Sequence, residues 1–425
     1  MTVPAGRPRS AAALVAPAGL AAPAGLAAAV VAPAALAARE AAPTPPIDAL
    51  LLVSFGGPEG PDDVMPFLER VTRGRGVPRE RLEVVAHHYL ALGGVSPINE
   101  QNRALLRALR AELDARGIAL PVYWGNRNSD PFIAATITDM HEAGHATVLA
   151  ITTSAYSSYS SCRQYREDLA GALESTGLAG RIRIEKVRPY FDHPGFLEPI
   201  ARGVRGALVE TDAAGIPRSL VRLFFSTHSI PVAMAETSGP PDRRATFEGA
   251  GGAYVAQHLA VARAVLQRVA GLGADATTDT AGESSGPGAL PAWSLVYQSR
   301  SGDGHVPWLE PDVNDALRPA AGEGMAAAIV VPIGFTSDHV EVVWDLDHEA
   351  AETAAELGVR LIRVPTPGTD PAFVRGLVDL VDERLRGAAA ASETPLGPWP
   401  GVCVTGCCPN LRRELPAVAG TDSAF

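Results

Sequence analysis

A run of acidic and imidazole side chains follows a strongly apolar segment of this chain. The apolar segment, residues 326–333, predicts a buried strand, and residues 336–349 (TSDHVEVVWDLDHE) come next. Oxygen and nitrogen ligands of this kind suit a divalent metal such as Fe(II), and open α/β sheets bind ligands at the carboxyl ends of their strands. If the run is a helix with about 100° per residue, one arc carries Asp338, Glu341, Asp345, His348 and Glu349.

The same run also has an ordinary structural explanation. Asp338 followed by Glu341 has the spacing of a capping box, with Asp in place of the usual Ser or Thr. Acidic residues in a first helical turn suit the helix dipole. A stripe of carboxylates is usually a solvated face, so this run alone favours a structural role.

Two other predicted strand ends carry groups that could take part in chemistry. His228 follows the predicted strand 219–225. Because its charge changes near neutral pH, a histidine can accept a proton or ligate a metal, although a lone one is usually structural. Trp308 lies beyond the predicted strand 293–297, and a large flat ring near polar groups suits a flat aromatic ligand.

The four cysteines are a third candidate site. Cys403, Cys407 and Cys408 lie within six residues, and Cys162 is the fourth. Four are too few for a disulfide scaffold in a chain of 425 residues. Four thiolates satisfy either zinc or a [2Fe–2S] cluster. The spacing alone does not separate these two possibilities from unrelated thiols.

Composition predicts a soluble globular protein with one large domain or two. The hydrophobic fraction of 47% is ordinary, and the net charge of −11 argues against a nucleic-acid partner. We interpret residues 1–46, mostly Ala, Pro, Leu and Gly, as a disordered extension. Pro17, Pro23 and Pro33 interrupt its apolar run. They argue against a signal peptide and against a transmembrane segment.

Strands and helices alternate through two successive sets, which predicts two α/β domains with mostly parallel sheets. We expect a first domain over 47–181, a second over 182–386 and a tail over 387–425. A polar stretch at 271–288 predicts a surface insertion. The predicted strands are 47–55, 122–124, 147–152, 182–187, 219–225, 293–297, 326–333 and 359–364, and the predicted helices are 62–71, 100–116, 131–143, 194–209, 251–269 and 371–386.

Five motifs resemble those of the ferrochelatase family, in the same order, and specifically its actinobacterial coproporphyrin III type. They are 54–58 (SFGGP), 93–97 (GGVSP), 225–231 (FSTHSIP), 298–300 with 307–309 (QSR and PWL), and 336–341 (TSDHVE). The resemblance covers about residues 48–386. It implies two similar Rossmann-like, chelatase-type domains with a cleft between them, in which Fe(II) is inserted into a porphyrin.

The resemblance also implies roles for single residues. His228 and Glu341 match the metal-site pair, with His228 as the base, while Asp345 and Glu349 match an acidic ridge that guides metal or protons. Phe55 stands where relatives can carry a possible iron ligand, and its phenyl ring cannot ligate iron. The porphyrin-cleft positions are matched by Phe55, Ser96, Arg127, Tyr156, Tyr165 and Trp308.

The cysteine set resembles that of family members with a [2Fe–2S] cluster, which implies that Cys162 and the three tail cysteines hold one and tie the tail to the first domain. Coproporphyrin III and Fe(II) are the implied substrates. We expect a cytoplasmic monomer whose product passes to a later enzyme of haem synthesis. Three alternatives are a protoporphyrin IX ferrochelatase, a cobalt chelatase and a porphyrin-binding protein without catalysis.

Overall fold

The computed structural model describes residues 46–74, 76–271, 290–301 and 306–425. These described residues belong to one compact unit. The extension predicted before residue 46 and the insertion predicted after residue 271 lie outside the described residues. Within them, no helix is long and apolar enough to cross a lipid bilayer.

The first sheet is parallel and has the strand order β2-β1-β3-β4. Strands β1 and β3 are buried along their whole length, as expected for parallel strands covered on both faces. A single π-helical turn, Tyr159–Arg163, precedes the last helix of this lobe. The elements of the first lobe are β1 (Ala49–Ser54), α1 (Pro61–Val71), α2 (Arg79–Ala91), α3 (Ile98–Ala115), β2 (Val122–Asn126), α4 (Ile133–Glu142), β3 (Thr147–Thr152), α5 (Gln164–Ser175) and β4 (Arg183–Lys186).

The second sheet repeats this architecture with the order β6-β5-β7-β8, again parallel. The prediction of two similar parallel α/β lobes is therefore confirmed. A π-helix, Val343–Glu349, connects α10 to α11. The elements of the second lobe are α6 (Pro194–Ala213), β5 (Val221–His228), α7 (Val232–Glu236), α8 (Gly252–Val269), β6 (Ala292–Gln298), α9 (Val313–Gly322), β7 (Ala327–Val331), α10 (Val340–Val342), α11 (Ala350–Glu356), β8 (Arg360–Arg363) and α12 (Pro371–Arg386).

The first sheet extends past the predicted domain boundary at residue 181. Strand β4 pairs with β3 from Thr147 opposite Arg183 to Ala150 opposite Lys186. It was predicted to open the second domain, but a local apolar pattern does not reveal which strand is its partner.

The two lobes share one apolar core. Leu50 and Leu109 of the first lobe belong to the same buried cluster as Leu223, Val265 and Leu377 of the second. Helix α12, at the end of the second lobe, packs on α3 as well as on α6. This common core holds the two sheets in a fixed relation, so residues from both lobes can contribute to one site.

Candidate active site

Three parallel strands of the second sheet deliver the candidate residues to one edge. His228 is the last residue of β5 and pairs with Gln298, the last residue of β6. The segment that leads to Glu341 leaves the neighbouring strand β7. The carboxyl ends of parallel strands meet at the same edge, which is where open α/β sheets bind ligands.

His228 and Glu341 face each other at this edge. Nε2 of His228 lies 3.8 Å from Oε2 of Glu341, and the two side chains are 34% and 43% exposed. Nδ1 of His228 lies 2.5 Å from the carbonyl oxygen of Ser229. Since a carbonyl only accepts hydrogen bonds, Nδ1 carries a proton, and the neutral form of the ring therefore presents an unprotonated Nε2 to Glu341. A cation about 2.1 Å from both atoms fits between them.

His339 is a second imidazole at this carboxylate, and it was absent from the predicted site. Its Nδ1 lies 3.9 Å from Oε2 of Glu341. His339 has an extended backbone before α10, with φ −139° and ψ 177°. On a regular helix these two residues would lie about 160° apart around the axis. Burial lowers the pKa of His339, the charge of Glu341 opposes this, and His228 adds to the lowering.

Asp338 does not belong to the predicted arc of metal ligands. Its two carboxylate oxygens lie 3.1 Å from the guanidinium of Arg363, and Thr366 donates to the same carboxylate at 3.0 Å. The predicted capping box is also absent, because α10 has no side-chain cap. The arc prediction assumed 100° per residue from Asp338 onward, whereas the helix begins only at Val340 and residues 343–349 form a π-helix.

His348 also lies apart from the carboxylates of the predicted arc. It is exposed, its Nδ1 lies 3.8 Å from Oε1 of Glu352, and its ring contacts Trp344 edge to face with centroids 4.4 Å apart. We refer to the three carboxylates of Glu341, Asp345 and Glu349 as the acid ridge.

Asp345 is the middle carboxylate of the acid ridge and is held by the end of β6. It accepts hydrogen bonds from the Ser299 hydroxyl and from the amide of Gln298 at 3.3 Å. Ser299 has φ 59°, a left-handed conformation that is uncommon for residues other than glycine and occurs often at functional sites. Burial raises the pKa of Asp345 to about 7, against the effect of the Ser299 bond, and the charges of Glu341 and Glu349 add to the rise.

Behind His228 lies a buried hydrogen-bond network that fixes its backbone. The Tyr254 hydroxyl donates to the His228 carbonyl at 2.8 Å. Thr227 Oγ1 lies 2.8 Å from both the Tyr254 hydroxyl and Nε2 of His258. Nδ1 of His258 donates to the Tyr254 carbonyl at 2.7 Å, and burial lowers the pKa of His258 to about 3. A neutral His258 therefore supports His228 from behind, and sequence reasoning missed both α8 residues.

The sequence profile described as ferrochelatase matches residues 47–385. The chain belongs to the ferrochelatase family. A protein of Leifsonia xyli subsp. xyli named coproporphyrin III ferrochelatase is 56% identical over 382 residues, covering 88% of this chain and 94% of that one. One of Streptomyces coelicolor with the same name is 50% identical over 388 residues, covering 89% and 98%. A protein of Rhodopirellula baltica named ferrochelatase is 45% identical over 381 residues, covering 88% and 97%.

Two of the porphyrin positions implied by ferrochelatase resemblance are partly exposed. Phe55 follows β1 and contacts Phe67 edge to face, with centroids 6.0 Å apart. Trp308 is also partly exposed, and an antiparallel bridge joins it to Pro231 in the turn that follows His228. Both rings are therefore available to a flat ligand, and Trp308 is held next to the turn that carries His228.

The other predicted porphyrin positions are largely buried. The Arg127 guanidinium pairs with Asp168 and lies 4.7 Å from the ring centroid of Tyr165, which is 4% exposed. Ser96 is also 4% exposed. Tyr156 is 2% exposed and donates its hydroxyl to the Ile333 carbonyl at 2.8 Å. In this conformation Ser96, Tyr156 and Tyr165 support the walls rather than offer free surfaces.

The structure brings the four cysteines of this ferrochelatase family member close together. Sγ of Cys162 lies 3.7 Å from Sγ of Cys403, and Sγ of Cys407 lies 3.9 Å from Sγ of Cys408. All four are free thiols. In the described residues, no three His, Cys, Asp or Glu side chains converge as a site for a metal ion. Cys403 also contacts Cys407, so the four sulfurs lie in one continuous series of contacts.

Proposed function

We propose that this protein is an enzyme that inserts Fe(II) into coproporphyrin III and gives iron coproporphyrin III. The observation that carries the proposal is the bare Nε2 of His228, which faces the Glu341 carboxylate at 3.8 Å. The identity of the porphyrin is supported by the relatives named coproporphyrin III ferrochelatase, at 50% to 56% identity.

The reaction requires a proton acceptor and a metal-binding group at the same face of the macrocycle. Fe(II) replaces two pyrrole protons, so one iron enters and two protons leave. Nε2 of His228 accepts a pyrrole proton, and Glu341 holds the incoming metal or receives the second proton. Asp345 titrates near pH 7 and passes protons outward toward Glu349.

We also propose that the four cysteines hold a [2Fe–2S] cluster. Two sulfurs bound at about 2.3 Å to one tetrahedral metal lie about 3.8 Å apart, close to the observed 3.7 and 3.9 Å. These separations suit a cluster that takes two thiolates on each iron, and the resemblance to cluster-bearing family members favours it over a single zinc ion. Such a cluster supplies one-electron redox chemistry when bound.

Buried positive charge near the cysteines supports a thiolate site. Arg166 is fully buried and Lys186 is 5% exposed. The contact with Cys403 and burial raise the pKa of Cys162, and the positive charges of Lys186 and Arg166 oppose this rise. Arg166 also pairs with Asp422 and Lys186 donates to the Val187 carbonyl, and thiolates at the cysteines would be stabilised further by both cations. The expectations of a cytoplasmic monomer and of a later haem-synthesis enzyme as partner stay predictions.

The experiment is anaerobic insertion of Fe(II) by the purified protein, with coproporphyrin III and protoporphyrin IX offered in parallel and followed by their absorption bands. We expect faster insertion into coproporphyrin III. Faster insertion into protoporphyrin IX, the second candidate, would retain the chemistry and overturn the substrate. Binding of both rings without insertion of iron would overturn the proposed reaction, and cobalt insertion in the same assay would identify a cobalt chelatase.

A further inference from the structure

Trp344 joins the two lobes at the outer part of the acid ridge. Its indole stacks on the imidazole of His88, with ring centroids 4.3 Å apart and planes inclined by 8°. His88 lies in α2 of the first lobe, whereas Trp344 lies in the π-helix of the second lobe. This aromatic contact therefore connects the two lobes directly.

The same indole fixes a carboxylate of the acid ridge. Trp344 donates its Nε1–H to Oε1 of Glu349 at 2.9 Å. Residues five apart lie about 140° apart around an α-helix, which is unfavourable for such a bond. In a π-helix the backbone bonds join residues five apart, so these side chains come into line. The irregular backbone of residues 343–349 thus has a local consequence, the orientation of Glu349.

Helix α2 also contacts the start of α10, the short helix that carries Glu341. Val340 is buried in an apolar cluster that also contains Leu68 of α1 and Ala86 and Tyr89 of α2. Burial raises the pKa of Tyr89, and the charges of Glu341 and Asp345 add to the rise. The phenol therefore lies within electrostatic reach of the inner carboxylates. The first lobe therefore contacts residues 340–349 at two places, Val340 and Trp344.

We propose that Trp344 is a positioning residue that orients Glu349 for metal delivery, and that His88 locks Trp344 in place when α2 lies against the second lobe. The inference rests on the proposed function, because it assigns to Glu349 a part in the path of Fe(II). A ring that merely filled space would need no polar contact, whereas the indole N–H is directed at one carboxylate oxygen. The position of α2 and the geometry of the acid ridge are thereby coupled.

Three substitutions test the indole N–H of Trp344 and the ring of His88 separately. Trp344→Phe keeps a flat ring and removes the N–H donor. His88→Ala removes the stacked ring and leaves the donor, and His88→Phe restores a ring at that position. Matched controls are Trp293→Phe, whose indole packs on Phe225 in the second lobe, and His87→Ala, the exposed neighbour in α2.

We expect Trp344→Phe and His88→Ala each to raise the KM for Fe(II) about tenfold, the size of effect expected for a lost hydrogen bond to a charged group. The KM for the porphyrin and the kcat at saturating iron should change less than about twofold. His88→Phe should restore most of the loss. The double variant Trp344→Phe/His88→Ala should be no worse than Trp344→Phe, because both changes act on the same carboxylate.

Equal rises in the KM for both substrates, or lower thermal stability with unchanged KM values, would identify a packing role and overturn the inference. Calorimetry of Fe(II) binding without porphyrin, under anaerobic conditions, provides a test that does not depend on turnover. Weaker binding by Trp344→Phe than by the wild type is expected, and equal binding contradicts the inference. If the wild type binds Fe(II) but inserts none, the proposed function is overturned, and the difference in Fe(II) binding between the wild type and Trp344→Phe still tests the role of Trp344. If it neither binds nor inserts Fe(II), both are overturned.

Discussion

Nε2 of His228 and Oε2 of Glu341 lie 3.8 Å apart, one at the end of β5 and the other in α10 after β7. The hydrogen bond from Nδ1 of His228 to the Ser229 carbonyl directs the unprotonated nitrogen toward the carboxylate. A base and an anionic ligand thus occupy one small, partly exposed space, and each can be tested separately.

Glu341→Gln keeps the size of the side chain and removes its charge. We expect a loss of about 100-fold or more in kcat/KM for Fe(II), since both metal holding and proton acceptance depend on the carboxylate. Coproporphyrin III affinity, measured by fluorescence quenching, should stay within about threefold. Glu352→Gln is the matched control because Glu352 is 66% exposed and pairs with His348, which lies outside the acid ridge. Equal activity of Glu341→Gln and Glu352→Gln would remove Glu341 from the mechanism.

The pKa of Asp345, raised from 3.8 to about 7, predicts a pH dependence of the rate. Asp345 accepts protons only when ionised, so the rate should rise as the pH increases through about 7. Asp345→Asn should abolish this rise. Ser299→Ala removes a hydrogen bond that lowers this pKa, so it should move the rise to higher pH. If the rate of Ser299→Ala depends on pH in the same way as the rate of the wild type, Asp345 is not the titrating group.

The same shift predicts an effect on stability. Because the folded protein binds the Asp345 proton more tightly than the unfolded chain, this group stabilises the fold at low pH. That contribution is lost as the pH rises from about 4 to about 7. The Tm of Asp345→Asn relative to the wild type should therefore increase over this range. A Tm difference between Asp345→Asn and the wild type that is the same at every pH would contradict the raised pKa of Asp345.

Anaerobic purification should yield a protein with about two irons and two sulfides per chain, bound by the four cysteines. Cys403→Ser should lose both, and residues 387–425 should become more sensitive to protease, because the cluster ties this tail to Cys162. The control is Arg413→Ala, an exposed residue of the same tail. Stoichiometric zinc in place of iron and sulfide would contradict the cluster. Removing the cluster with a chelator should reproduce the protease sensitivity.

The ion pair between Asp338 and Arg363 should stabilise the folded protein. The pair is largely buried, with side chains 18% and 19% exposed, and Arg363 also pairs with Asp347. We expect Arg363→Met to lower the free energy of unfolding by about 2–3 kcal/mol, because it leaves a carboxylate unpaired. Arg360→Met should cost less than about 1 kcal/mol, because its pair with Glu210 is half exposed. Equal costs in urea denaturation would contradict this difference.

Elements with strong local signals could be predicted from the sequence with accurate bounds. Strand 147–152 and helix 371–386 have the predicted ends. The strand is a continuous apolar run. The helix begins after Asp370, whose side chain accepts from the Ala372 amide, and ends before Gly387, which has φ 63°. Apolar runs and caps act locally, so they can be recognised without the fold.

Features that depend on irregular backbone or on distant partners could not be predicted. The helix begins only at Val340, so Asp338 and His339 lie on the non-helical backbone before it. The π-helix at 343–349 changes the angular spacing of the later side chains, including His348. The partner of β4 and the stack of His88 on Trp344 depend on the tertiary fold. His228 and Glu341 were found because their motifs resemble a known family, since each residue alone has an ordinary structural explanation.

The most direct test of the central claim compares the wild type with His228→Ala under anaerobic conditions, at saturating coproporphyrin III and Fe(II). We expect the rate of iron insertion to fall by about 100-fold to 10,000-fold, the range for loss of a general base. The affinity for coproporphyrin III should be unchanged, and His87→Ala should behave as the wild type. Near-normal insertion by His228→Ala would contradict the assignment of His228 as the base that accepts the pyrrole proton.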